Sequence, residues 1–217
     1  MRRAVLLGKG DLAIRVAQWL AQADDYELAA IVPVIPEPGW TASLREWATS
    51  AGIPCVDSGQ HRDLQWDGGD QIDLAMSVFY DRIFESDFID RCDRILNLHN
   101  APLPRYRGMS PINWALKNGE RSHGVTLHEV TPGIDSGPIV SQVEYSIYPD
   151  TDEVIDVYRR SLKFAWTLFT ETIPILDRIE PRPQDESKAT YYGAADSARL
   201  GDRAGFTRAE SIRREAR

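Results

Sequence analysis

Over its first hundred residues this chain alternates short apolar runs with stretches of helical periodicity, and that alternation most narrows the folds open to it. Ala4-Val5-Leu6-Leu7 reads as a short buried strand stopped by Gly8-Lys9-Gly10, after which Leu12, Val16, Trp19 and Leu20 recur at helical spacing. Glu27 to Val34 is a second apolar run, followed by a loop with Pro36, Pro38 and Gly39. Leu44 and Trp47-Ala48 fit a helix closed by Gly52, and Ile53 to Val56 a short third strand. Asp57 to Gly69 is polar and glycine-bearing, mainly loop. Ile72 to Val78 is the next strand, Phe84 to Cys92 a helix, and Arg94 to His99 another strand. Strands alternating with helices in this way imply a parallel sheet with helices on both faces. Ligands of such sheets bind beyond the carboxyl ends of the strands, which is where Asn97 and His99 fall.

Further along, the pattern changes. A proline-rich loop leads to a helix from about Pro111 to Asn118. Gly124 to Val130 and Pro138 to Ile147 are two strands separated by a turn with Pro132, Gly133, Asp135 and Gly137, so an antiparallel hairpin is expected. Thr151 to Leu176 is helical in period, and Pro181 and Pro183 end that region. From Ser197 onward large apolar residues are scarce, which suggests a frayed tail or a peripheral helix. The fold class expected is α/β: a Rossmann-like, mostly parallel sheet with an added antiparallel hairpin. Residues 1–180 are expected to form a catalytic domain, and 181–217 a short C-terminal appendage with a mobile tail.

Composition excludes several functions. With 217 residues, a net charge of -8 and a pI near 5.1, the chain lacks the basic footprint of a nucleic-acid binder. No run approaches the roughly 20 apolar residues of a membrane span. The apolar stretch after Met1-Arg2-Arg3 is too short for a signal peptide. Cys55 and Cys92 cannot build a disulfide framework and read as buried free thiols in a reducing compartment. The cytoplasm is the expected location, with no membrane or nucleic-acid partner.

Gly8-Lys9-Gly10-Asp11-Leu12-Ala13 fits GxGxxA between a strand and a helix, a pattern of dinucleotide folds. A nicotinamide site also needs an acid ending the second strand, and the first acid there, Glu37, stands between two prolines. The motif is therefore read as a tight turn with close helix packing. Asn97 and His99, two apart on a strand, share a face and offer an oxyanion donor and a proton acceptor. The same residues also fit a polar strand cap before a proline-stiffened loop. Arg105 and Arg107 supply cations in an acidic chain. His123 and His128, five apart, point to opposite faces and form no metal pair. His128 is expected to pack or face solvent, and His61, in a polar loop, to be exposed. No metal site is expected.

The stretch Asn97 to Gly108, NLHNAPLPRYRG, closely resembles the first motif of the formyltransferase family. His123 to Ile139 resembles its second motif, and Thr190-Tyr191-Tyr192 a short element of its C-terminal portion. The resemblance implies the formyltransferase fold and 10-formyltetrahydrofolate as formyl donor. It implies Asn97, His99 and Asp135 as catalytic trio; Asp135 alone also fits an ordinary turn residue. The loop Phe79, Tyr80, Asp81, Arg82 and Ile83 corresponds to the family's pterin-binding loop. Within the family the Tyr-Arg-Gly ending looks most like the sugar N-formyltransferases, which act on dTDP-linked amino deoxysugars. On that likeness Tyr106, Arg107, Met109 and Trp114 would bind the sugar nucleotide, Arg107 alternatively bonding within its own loop. Glycinamide ribonucleotide formyl transfer and non-catalytic folate or nucleotide binding are the alternatives. The short C-terminal part leaves the oligomeric state open, a homodimer among the possibilities.

Overall fold

The computed structural model describes residues 1–65 and 71–215, with side chains through Arg213; of the loop expected over 57–69, residues 66–69 lie outside the described residues. The chain divides into two compact units, 1–98 with 129–132, and 99–128 with 133–217.

The first unit is built on four parallel strands. β1 (Arg2–Gly8) pairs with β2 (Tyr26–Pro33) on one side and β3 (Leu74–Val78) on the other, and β3 pairs with β4 (Ile95–His99). Ala4, Val5, Leu6 and Leu7 of the central strand are all fully buried. Because successive side chains point to opposite faces, both faces of β1 are covered, as a parallel sheet requires. α1 (Gly10–Gln22) buries Leu12, Ala13, Val16, Ala17 and Leu20, one apolar stripe at helical spacing. α2 (Leu44–Ala51) starts at Ser43, whose hydroxyl accepts from the Glu46 N–H, and ends at Gly52 in the left-handed conformation.

Three expectations change. Ile53 to Val56 is no strand: it makes one bridge, Cys55 to Ile31, and Pro54 has no N–H to extend the pairing. The helix expected over 84–92 is only α3 (Ser86–Asp90). Arg91 and Asp93 leave it because their backbone bonds Ile72, drawing the chain back to the sheet. Cys55 and Cys92 are free thiols, half-buried rather than enclosed.

The glycine motif has a steric basis. A Cβ at Gly8 would stand 2.1 Å from the Val78 carbonyl oxygen, so β1 and β3 approach closely only because Gly8 has none. Glu37 caps α2, accepting from the Leu44 N–H at 2.8 Å, the Arg45 N–H at 3.2 Å and the Ser43 hydroxyl at 2.5 Å. Its carboxylate is thus taken up by a helix start.

The second unit contains β5 (Arg107–Gly108), α4 (Pro111–Lys117), and the antiparallel hairpin of β6 (Ser122–Glu129) and β7 (Ile139–Ser146). α5 (Val154–Thr172) follows, opened by a capping box between Glu153 and Asp156, with Val154, Val157, Ser161, Ala165, Leu168 and Phe169 buried along one side. β8 (Tyr191–Tyr192) pairs with β5 in parallel. Short 3-10 turns span Ala194–Arg203, broken at Gly201, before α6 (Arg208–Glu215). These last elements are tied down: Asn113 donates to the Arg203 carbonyl, Arg203 donates to those of Pro149 and Asp152, and the Arg208 N–H donates to Glu153. The expected α/β architecture, mostly parallel with an antiparallel hairpin, is the one the chain adopts.

Candidate active site

His99 ends β4 and is 8% exposed. Its Nε2 lies 2.9 Å from the Tyr106 carbonyl oxygen, which can only accept, so Nε2 carries a proton. Nδ1 faces Asp135 Oδ2 at 3.6 Å. In the neutral ring Nδ1 is then the bare nitrogen, a proton acceptor with a carboxylate beside it.

Asp135 sits in the turn Gly133-Ile134-Asp135-Ser136-Gly137 with φ of 50°, the left-handed region that a non-glycine residue adopts at a cost. Its Oδ2 accepts from the Gly108 N–H at 2.8 Å, and its Oδ1 lies 3.5 Å from His128 Nε2. Burial disfavours the carboxylate, but the imidazoles of His99 and His128 and the Gly108 N–H outweigh it, holding the carboxyl well below the usual range. The acid is therefore a fixed anion between two imidazoles, able to stabilise an imidazolium on either side.

His128 is the member of this cluster that sequence reasoning missed. It is 2% exposed and its ring centroid is 6.3 Å from that of His99. The register of β6 against β7 shifts between Leu127 and His128, and strand parity counted from His123 does not carry past such a bulge. The available signal was position: His128 is the next-to-last residue of the strand that leads into the Asp135 turn. His123, fully buried, donates from Nε2 to the Asn100 carbonyl at 2.8 Å.

Asn97 is half-buried on β4, in register with Ser77 and two residues before His99. The loop Phe79 to Ile83 joins β3 to α3. Phe79 has φ of 58°, Asp81 is exposed, and Ile83 is 72% exposed. Arg82 donates to the Ile35 carbonyl at 3.5 Å, while its buried Nε has no hydrogen-bond partner. Tyr80 is anchored by His61, which overturns the expectation of an exposed histidine. His61 is 2% exposed, with Nδ1 3.1 Å from the Tyr80 hydroxyl, Nε2 2.5 Å from Glu85, and its ring against Phe84 and Phe88. Burial pushes the Tyr80 phenol up to about 12.

Of the four residues expected to bind the acceptor, Met109 alone is exposed, at 53%. The buried Tyr106 hydroxyl donates to Glu120 at 2.6 Å, and burial together with that carboxylate raises its pKa. Arg107 is 8% exposed and forks onto Gln184 and Glu186. Trp114 stacks on Tyr192 at 4.2 Å with Arg199 over its ring. Arg105 pairs with Glu120. In this conformation these cations and rings are engaged in packing, and the Arg107 side chain bonds not within its own loop but to Gln184 and Glu186, more than seventy residues further on.

Among the described residues no group of three His, Cys, Asp or Glu side chains could hold a metal ion, and no helix is long and apolar enough to cross a membrane.

Residues 69–173, which include the whole His99–Asp135–His128 cluster, match the formyl transferase family. Residues 69–173 are thus a formyl transferase segment. The chain is accordingly an enzyme of formyl group transfer. The N-formyltransferase of Helicobacter canadensis, solved with folinic acid and dTDP-3-aminofucose, shares the fold at a TM-score of 0.77 and 24% identity, over 90% of this chain and 72% of that one. WlaRD, a sugar 3N-formyl transferase solved in the presence of dTDP and 5-N-formyl-THF, is 25% identical at a TM-score of 0.76, over 90% and 71%. Glycinamide ribonucleotide transformylase 1 from Symbiobacterium toebii is 25% identical at 0.67, over 85% of this chain and 95% of that one. The fold implied by NLHNAPLPRYRG is thus the one the chain has, and residues 69–173 match the family it implied.

Proposed function

We propose that this formyl transferase domain is a sugar N-formyltransferase, moving a formyl group from 10-formyltetrahydrofolate to the amine of a dTDP-linked amino deoxysugar. The observation that carries the reading is the buried His99–Asp135 pair, with His99 Nδ1 3.6 Å from the carboxylate, inside a motif ending in Tyr-Arg-Gly. The likeness to WlaRD supports the acceptor class.

The folate donor supplies an activated formyl carbon. Phe79 to Ile83 are the residues assigned to hold it, and they suit a flat, partly polar ligand: an exposed Ile83 beside a buried Arg82 Nε that lacks an acceptor. As the acceptor amine forms its bond to carbon, it must shed a proton. His99 Nδ1 takes that proton, and Asp135 lowers the cost of the imidazolium. Asn97 donates its amide N–H to the formyl oxygen as that atom gains charge. When the carbon–nitrogen bond to the donor breaks, the imidazolium returns the proton to the departing nitrogen, and proton count balances without a covalent enzyme adduct.

A second reading, formyl transfer to glycinamide ribonucleotide, is favoured by the Symbiobacterium likeness, in which 95% of the relative's length is matched. One assay separates them: 10-formyltetrahydrofolate with dTDP-4-amino, dTDP-3-amino or glycinamide ribonucleotide acceptors, following tetrahydrofolate release. Turnover with an aminosugar supports the first reading, and turnover with glycinamide ribonucleotide alone overturns it. Folate binding without turnover on any amine points instead to a binding protein. The cytoplasm remains the proposed location, and a homodimer the assembly to test by light scattering.

A further inference from the structure

We infer that Gln184 is a positioning residue for the reaction: it fixes the turn that carries Asp135, and through that turn the distance between the carboxylate and the two imidazoles. The inference rests on the proposed role of Asp135.

One side-chain amide makes four hydrogen bonds here. Gln184 Nε2 donates to the carbonyl of Asp135 at 2.8 Å and to that of Gly137 at 2.7 Å. Its Oε1 accepts from Arg107 Nε at 3.1 Å and Nη2 at 2.7 Å. The orientation of the amide is unambiguous, since the reverse would set oxygen against two carbonyls and NH2 against a guanidinium that has no acceptor. Both donors and the oxygen are thus fully used.

These bonds act where the backbone is least able to hold itself. Asp135 is left-handed at φ of 50° without being glycine, a conformation that the surrounding structure must support. Gln184 supplies that support on the carbonyl side. On the side-chain side, the Gly108 N–H holds Oδ2. The two grips have one origin, because Arg107 precedes Gly108 and is itself clamped: Glu186 takes its guanidinium at 2.9 and 2.6 Å, and the Thr190 carbonyl takes its N–H. The strap 184–190 therefore ties the Asp135 turn and the Arg107–Gly108 step into one unit.

The test compares Gln184→Glu with Asp185→Asn. Gln184→Glu keeps an acceptor for Arg107 but presents oxygen to two carbonyls; Asp185→Asn alters the neighbouring residue of the strap, whose carboxylate bonds Ser187 and Lys188. Gln184→Glu is expected to lower kcat about 100-fold, the scale of an ångström-sized misplacement, with donor and acceptor KM within about threefold. Asp185→Asn should stay within about threefold of the parent in both. A residue that merely stabilises the fold would lower the melting temperature and leave kcat per folded molecule unchanged. Should Gln184→Glu fail to fold, Gln184→Met, which keeps the volume and loses all four bonds, repeats the measurement. Parent-like kcat in either folded Gln184 variant overturns the inference, as does an equal loss in Asp185→Asn. Asp135→Asn, run alongside, separates the two layers: full turnover there removes the catalytic reading itself, whereas loss there with an indifferent Gln184→Glu removes only the role of Gln184.

Discussion

His99 and His123 show how two histidines in neighbouring segments are set to different tasks by what each ring nitrogen meets. His99 has one nitrogen on a carbonyl and one facing a carboxylate, so a proton arriving there finds a counter-charge. Replacing it by alanine is expected to cut turnover about 10²- to 10⁴-fold, the usual worth of a positioned general base. Circular dichroism should stay native-like, because the pairing of β4 with β3 is made by backbone groups that the substitution leaves in place. His123 has one nitrogen on a carbonyl and the other buried without a partner. Burial, reinforced by Arg105 and His99, depresses its pKa to about 4, against the carbonyl bond that raises it. The folded state thus binds this proton more weakly than the unfolded chain, whose histidine titrates near about 6.5. Stability from this site is complete above that value and is lost as pH falls toward about 4, at up to about 1.4 kcal/mol per pH unit. Urea titrations of the parent and His123→Gln from pH 7 to 4 check the sign: the variant should show the shallower decline. Neither assignment could be read from the residue types. His61 makes the same point, since its burial depends on Tyr80, Phe84 and Phe88, about twenty residues further on.

Elements set by local periodicity were legible, and elements set by a distant partner were not. α1, α4 and the β6–β7 hairpin lie where apolar spacing and turn residues put them, because each buries a stripe or a face of its own. The stretch 53–56 and the end of α3 miss, because Pro54 has no N–H to extend the pairing with Ile31, and because backbone bonds to Ile72 draw Arg91 and Asp93 out of the helix. Of the site, the polar pair on β4 and the turn at Asp135 could be found by motif. The place of Gln184 could not, since it reaches the Asp135 carbonyl from 49 residues away. At the β1–α1 junction the element-scale prediction is steric. Gly8→Ala must open the 2.1 Å approach to the Val78 carbonyl, and overpacking of this kind costs about 3 kcal/mol. The melting temperature should fall by about 6–12 °C for a chain of this size. A fall under about 2 °C would show that the two strands separate freely.

For the whole molecule the governing quantity is charge. At -8 and a pI near 5.1 the chain repels its own copies at neutral pH and loses that protection as carboxylates are protonated. Light scattering across pH 4 to 8 should pass through a maximum at about pH 5. A flat trace would mean that patches, not net charge, control association. The acidity also bears on the acceptor. Arg105 and Arg107 are already paired with Glu120 and Glu186, so the diphosphate of the proposed acceptor would have to displace a carboxylate or use other groups.

The bond from Gln184 to the Asp135 carbonyl sets an order on how the protein comes into being. During synthesis the ribosome delivers Asp135, the proposed partner of His99, well before the glutamine that holds its turn, and the Thr190 carbonyl that completes the strap comes later still. A nascent or prematurely stopped chain therefore carries the proposed catalytic side chains without the brace that spaces them. Such a fragment is expected to transfer formyl groups more slowly than the complete chain.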